Sequence, residues 1–149
     1  MIADILVRYL HFVSILVLVG TVLAEHLLVR RSMSRGELAL VAKVDAVYGI
    51  AAVLVLLTGF AQWFWTGKPA GFYSPNPVFH TKVTLFLVVG LVSIYPTVFF
   101  VKNRKGEPDE EVAVPGRVVM SLRLELLLLF LMPLLAVLAG RGVGIPLAE

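Results

Sequence analysis

The sequence predicts an all-α integral membrane protein, a bundle of four apolar helices. Two observations predict it. Hydrophobic residues fill 59% of the 149 positions and charged residues only 15%, a balance outside that of water-soluble domains. The apolar residues also gather into stretches of about 20 or more, each long enough to cross a hydrocarbon core about 30 Å thick, and short polar segments separate them.

The first helix is expected over about Asp4–Arg30. It carries Arg8 and His11 and ends in Glu25-His26 without a small-residue cleavage pattern, so it reads as a retained helix rather than a signal peptide. The basic segment from Arg30 to Gly36 stops it at the membrane surface. A second helix is expected over about Leu38–Thr66. Lys43 and Asp45 lie near its start and Trp63-Phe64-Trp65 near its end, where amphipathic rings favour the interface, and Gly67-Lys68-Pro69 closes it. Asn76-Pro77 then supplies an N-cap followed by a proline at the first helical position. The third helix therefore starts at Pro77 and runs to about Lys102. A charged loop follows, and Pro115-Gly116 precedes a fourth helix from Arg117 to about Ala139, with Gly140 as its stop. Residues 1–149 read as a single transmembrane domain.

The first loop carries Arg30, Arg31, Arg35 and Lys43, and the third carries Lys102, Arg104, Lys105 and Arg117. The opposite face has Lys68 and Arg141 outside the helices. Basic loops stay in the cytoplasm, so both termini are expected on the non-cytoplasmic side of a cell inner membrane. The formal net charge of +3 sits beside helix ends, where it meets lipid headgroups rather than nucleic acid. Cysteine is absent, which excludes disulfides, thiolate metal sites and Cys-based catalysis.

An ionisable group inside a bilayer costs on the order of 3 kcal/mol on insertion scales, so each one marks a protein-facing or water-facing position. On the first helix Arg8, His11, Ser14, Thr21 and Glu25 share a band about 140° wide at about 100° per residue, which is expected to face the bundle interior. His11 lies roughly 10 Å inside the first helix and His80 about one turn inside the third, and both helices enter from one face. Two imidazoles at similar depth are the arrangement that ligates a b-type haem. Arg8, one turn above His11, is then placed to pair with a propionate. Lys82 is a second such candidate, although it points about 160° away from His80 on the same helix. The alternative is that His11 hydrogen-bonds to a neighbouring helix and that His80 is an interfacial helix-start residue. His26, beside the basic stop, reads as interfacial.

A second polar group comprises Glu25, Asp45, Tyr48, Ser93, Tyr95, Arg123 and Glu125, at comparable depth near the other ends of the helices. Its structural reading is an interhelical ion pair of Glu25 with Arg123. Its functional reading is a proton path in which Glu25 changes protonation. Gly20, Gly49, Gly59 and Gly90 are small positions that permit close approach of a helix or a flat ligand. Pro96 and Pro133 free backbone carbonyls within their helices.

Arg8-Tyr9-Leu10-His11, Asn76-Pro77-Val78-Phe79-His80-Thr81-Lys82 and Ser93-Ile94-Tyr95-Pro96-Thr97 resemble a family of small bacterial four-helix membrane proteins, a likeness that implies no particular activity. His11 and His80-Thr81-Lys82 also resemble, more distantly, the HemJ-type protoporphyrinogen oxidases. That resemblance implies haem b near His11, a role for Lys82 in haem binding or catalysis, and oxidation of a porphyrinogen with electrons passed onward. The segment Gly20-Thr21-Val22-Leu23-Ala24-Glu25-His26 departs from the aromatic and basic stretch of that family.

The expectation from these readings is an inner-membrane haem b protein with His11 and either His80 or Lys82 near the iron. It performs electron transfer or oxidoreduction on a quinone or porphyrin-like substrate, with Lys82 and Glu25 as the catalytic candidates. The rival expectations are a homodimeric proton-coupled transporter switched by Glu25, and a noncatalytic membrane subunit.

Overall fold

The computed structural model describes residues 2–66 and 68–145. The chain forms α1 (Ile2–Leu28), β1 (Ser32–Ser34), α2 (Arg35–Phe64), α3 (Ala70–Tyr73), α4 (Pro77–Asn103), β2 (Glu111–Ala113) and α5 (Gly116–Gly140). Helices α1, α2, α4 and α5 are each long and apolar enough to cross a membrane. Their outer surfaces expose Leu16, Leu91 and Phe130 at 72%, 68% and 81% of full accessibility. Apolar exposure spread over a whole bundle is incompatible with water and suited to lipid.

Local chemistry sets the helix ends. Helix α2 starts three residues earlier than its apolar pattern suggests, because Ser34 and Glu37 form a reciprocal capping box. At α4 the expected cap is present: Asn76 Oδ1 accepts from the backbone N–H groups of Val78 at 2.9 Å and Phe79 at 3.3 Å. Its Nδ2 donates to the Ala139 carbonyl at 3.4 Å, tying the start of α4 to the end of α5. Lys68 reaches the same region, donating to the Gly140 carbonyl at 2.7 Å.

The hairpins α1/α2 and α4/α5 pack most extensively, and α2 with α4 and α1 with α5 close the bundle. Around the ring the order is therefore α1, α2, α4, α5, which sets α1 diagonally across from α4. The first and third interhelical loops are joined by β1 and β2, an antiparallel pair with Met33 opposite Val112. Strands of three residues are too short to announce themselves in a sequence; their pairing depends on the bundle bringing the loops together. Beneath them Met33, Leu38, Phe100, Val118 and Leu122 form one buried cluster. A second cluster, built from Leu18, Val22, Ala51, Val89 and Leu129, fills the middle of the bundle.

Candidate functional site

His11 is half-buried on α1, and its Nδ1 lies 2.8 Å from Thr58 Oγ1 on α2. The Thr58 hydroxyl donates its single proton to the Leu54 carbonyl at 2.5 Å, so toward the imidazole it acts as acceptor. The tautomer with its proton on Nδ1 satisfies both contacts and leaves the Nε2 lone pair for another partner. Beside the ring is Gly59, where a methyl group would make ordinary van der Waals contact with His11 Cε1 at 3.5 Å.

His11 lines a cavity of about 330 Å³ at the end of the bundle that holds the termini and the second loop. Phe12, Ile15 and Leu18 of α1, Val55, Phe60 and Trp63 of α2, Phe79 and Phe86 of α4, and Leu129, Met132 and Pro133 of α5 form its walls. Among its lining side chains His11 and Lys82 are the ionisable ones. They project from diagonal helices into one apolar space, where Lys82 Nζ stands 5.0 Å from the centroid of the Phe79 ring. Trp63 meets Phe79 edge-on at 4.7 Å and stacks on Phe64 at 4.6 Å. Its indole N–H donates to Ser74 Oγ at 3.3 Å, fastening the second loop to the rim. Pro133 has no N–H to give the Leu129 carbonyl, so the α5 wall carries a backbone acceptor without its helical donor.

The structure separates two residues that sequence spacing brings together. His80 is exposed, and its Nε2 contacts the Ser74 carbonyl at 2.7 Å rather than facing His11. The reason is the helical angle between positions 80 and 82: with Lys82 turned inward, His80 is carried to the outer surface beside Trp63. His11 hydrogen-bonded to a neighbouring helix and His80 exposed at a helix start are the alternative expected from the sequence; His80 does not line the cavity that His11 and Lys82 share. Arg8 is likewise outside the cavity, an exposed residue joined to Asp4 by a 2.9 Å ion pair one turn away on α1.

Glu25 is also remote from this cavity. It lies fourteen positions beyond His11 on the same helix, about 21 Å at 1.5 Å per residue, with Leu18 and Val22 between them. Its expected ion pair with Arg123 does not form: Arg123 is exposed and has no salt bridge among the described residues. Arg123 lies about two turns inside α5, and its long side chain is turned to the outer surface of the bundle. Glu25 is buried among other acidic groups, Asp45 and Glu125. Tyr95 of the same expected group points outward.

Two features of the site escaped the sequence reading. Thr58 is the sole residue with a polar side chain between Gly49 and Gln62, a signal that pointed to an interior partner. The aromatic walls gave no such signal, since a Phe on an apolar helix faces lipid as readily as a cavity.

His11 and Lys82 are the residues of this cavity that could hold a cofactor. His11 offers Nε2 as a ligand atom, held in one tautomer by a neighbouring acceptor as metal-ligating histidines commonly are. The aromatic walls are apolar, and Lys82 is the cationic side chain among the lining residues. No cluster of three or more His, Asp or Glu residues that could hold a bare metal ion is found among the described residues; a haem pocket draws on one or two protein ligands and is a different arrangement.

Residues 3–144 match the model of a family described as "Predicted membrane protein (DUF2214)". No curated protein and no solved structure matches the chain.

Proposed function

This chain belongs to the DUF2214 family of predicted membrane proteins, and on that premise we propose that it is a haem b-binding membrane protein of electron transfer or oxidoreduction. The observation that carries the reading is the His11 imidazole, its Nδ1 against Thr58 Oγ1, lining an apolar cavity opposite Lys82. Haem b, when bound, supplies one-electron chemistry at iron. The chain's own residues orient and shield it. His11 Nε2 is the ligand atom, and Thr58 holds the ring plane and the tautomer. Lys82 neutralises a propionate, or an acidic or carbonyl oxygen of the substrate, and Phe12, Phe60, Trp63 and Phe79 exclude water.

The substrate class that suits this cavity is lipid-soluble and ring-shaped, quinone-like or porphyrin-like. Oxidation of a porphyrinogen is the narrowest form of the reading and is tested by complementing a strain that lacks porphyrinogen oxidase. The distribution of Lys and Arg between the loops supports an inner-membrane orientation with the β1/β2 loops in the cytoplasm and the termini outside.

The experiment is a visible spectrum of the protein purified in mild detergent, before and after dithionite, with pyridine haemochrome analysis. A b-type spectrum at about one haem per chain is expected. A protein that stays colourless after haem supplementation contradicts the assignment.

A further inference from the structure

The half of the bundle remote from His11 contains a second polar centre, built by all four long helices. Glu25 of α1, Asp45 of α2 and Glu125 of α5 turn inward with 1%, 5% and 1% exposure. They are close enough to interact electrostatically with one another. No base answers them: the ion pairs among the described residues are Arg8–Asp4, Arg30–Glu37 and Arg35–Glu110. Lys43 and Arg123, the basic residues nearest in sequence on α2 and α5, are both exposed.

The hydrogen bonds are incomplete in a consistent way. Asp45 Oδ1 accepts from the Thr97 hydroxyl at 2.8 Å, but Oε1 of Glu25 and Oε1 of Glu125 have no partner. Tyr48 is an independent sign. Its side chain is 4% exposed, and its hydroxyl faces Glu125 and Ser93 without completing a hydrogen bond. The Ser93 hydroxyl donates to the Gly90 carbonyl at 2.8 Å and so offers the centre lone pairs only. Next to Glu25, His26 also buries an unpartnered Nδ1.

Orphaned oxygens, three acidic groups and no cation in an apolar bundle require positive charge from elsewhere. The acidic groups do not converge into a metal-binding cluster. A proton needs no such convergence: it neutralises one carboxylate at a time and turns an orphaned acceptor into an O–H donor for its neighbour. We propose that Glu25, Asp45 and Glu125, with Tyr48 and Ser93, form an intramembrane proton-binding site. Uptake converts a carboxylate and a proton into a neutral carboxyl, and release reverses it. Glu25 lies three residues from the end of α1, about 4.5 Å along the axis, which makes the first-loop end the route of exchange. The site stands whatever occupies the His11 cavity.

The test is infrared difference spectroscopy of the full chain in lipid vesicles, alkaline against neutral. The carbonyl band of neutral carboxyls is expected at neutral pH and is lost on alkalinisation. Glu25→Gln and Glu125→Gln are each expected to remove part of it, and Tyr48→Phe to shift its frequency. Glutamine mimics the neutral carboxyl, so these variants retain the fold, and either one alone suffices for the reading. Absence of the band at neutral pH, or a band unchanged in Glu25→Gln, Glu125→Gln and Asp45→Asn, overturns the proposal.

Discussion

The Nδ1 of His11 stands 2.8 Å from the hydroxyl oxygen of Thr58, which is itself 2.5 Å from the Leu54 carbonyl. That contact between α1 and α2 engages Nδ1 and favours Nε2 as the nitrogen offered to a ligand. Removing the acceptor while keeping the volume, as in Thr58→Val, is expected to weaken binding at His11 by roughly 10–100-fold, the range typical of such supporting contacts. Thr58→Ser is expected to stay near wild type. Haem titration of the variants in detergent checks both.

Lys82 faces the cavity without an acidic partner among its lining residues. Lys82→Met keeps the aliphatic stem and removes the charge. It is expected to weaken an acidic ligand, and to leave an uncharged ligand of similar shape nearly unaffected. Comparing haem with an esterified porphyrin in the same binding assay separates the two effects.

Asn76 is fully buried and serves two helices at once, capping α4 and donating to the end of α5. Asn76→Ala is expected to destabilise the protein by about 1–2 kcal/mol through loss of the cap, with some additional loss from the stranded Ala139 carbonyl. Thermal unfolding in detergent measures it.

The β1/β2 lock carries a pH signature. Glu110 accepts from Arg35 Nε at 2.5 Å and from a second guanidinium nitrogen at 2.9 Å. That hydrogen bonding holds its carboxyl below the usual carboxylate range. Because the folded-state value is depressed, the stabilisation is present above the unfolded carboxylate's pKa and is lost as pH falls through the folded value. The pair is exposed, so the effect is small and local. Amide exchange of residues 32–34 and 111–113, corrected for its intrinsic rate, is expected to accelerate in acid. Glu110→Gln is expected to show the faster exchange already at neutral pH.

Much of this architecture is legible in the sequence. Hydrophobic runs locate the four long helices, and Asn76-Pro77 marks the start of α4 to the residue. Legibility stops where tertiary placement decides. Angular arithmetic separates His80 from Lys82 by nearly half a turn, yet it does not say which of the two faces inward; the structure turns Lys82 into the cavity and leaves His80 exposed beside Trp63. The Glu25–Arg123 pairing rests on depth alone, and depth does not distinguish an arginine that turns inward from one on the outer surface of the bundle. Thr58 was visible as an isolated hydroxyl in an apolar helix, but its partner becomes apparent only when α1 lies against α2.

The central claim, that the His11 cavity and not a His11/His80 pair holds the cofactor, is tested most directly by haem content per chain. Wild type, His11→Ala and His80→Ala are purified side by side and supplemented with haem during expression. Full haem in His80→Ala with loss in His11→Ala is the expected result; haem retained in His11→Ala, or lost in His80→Ala while that variant remains folded, contradicts it.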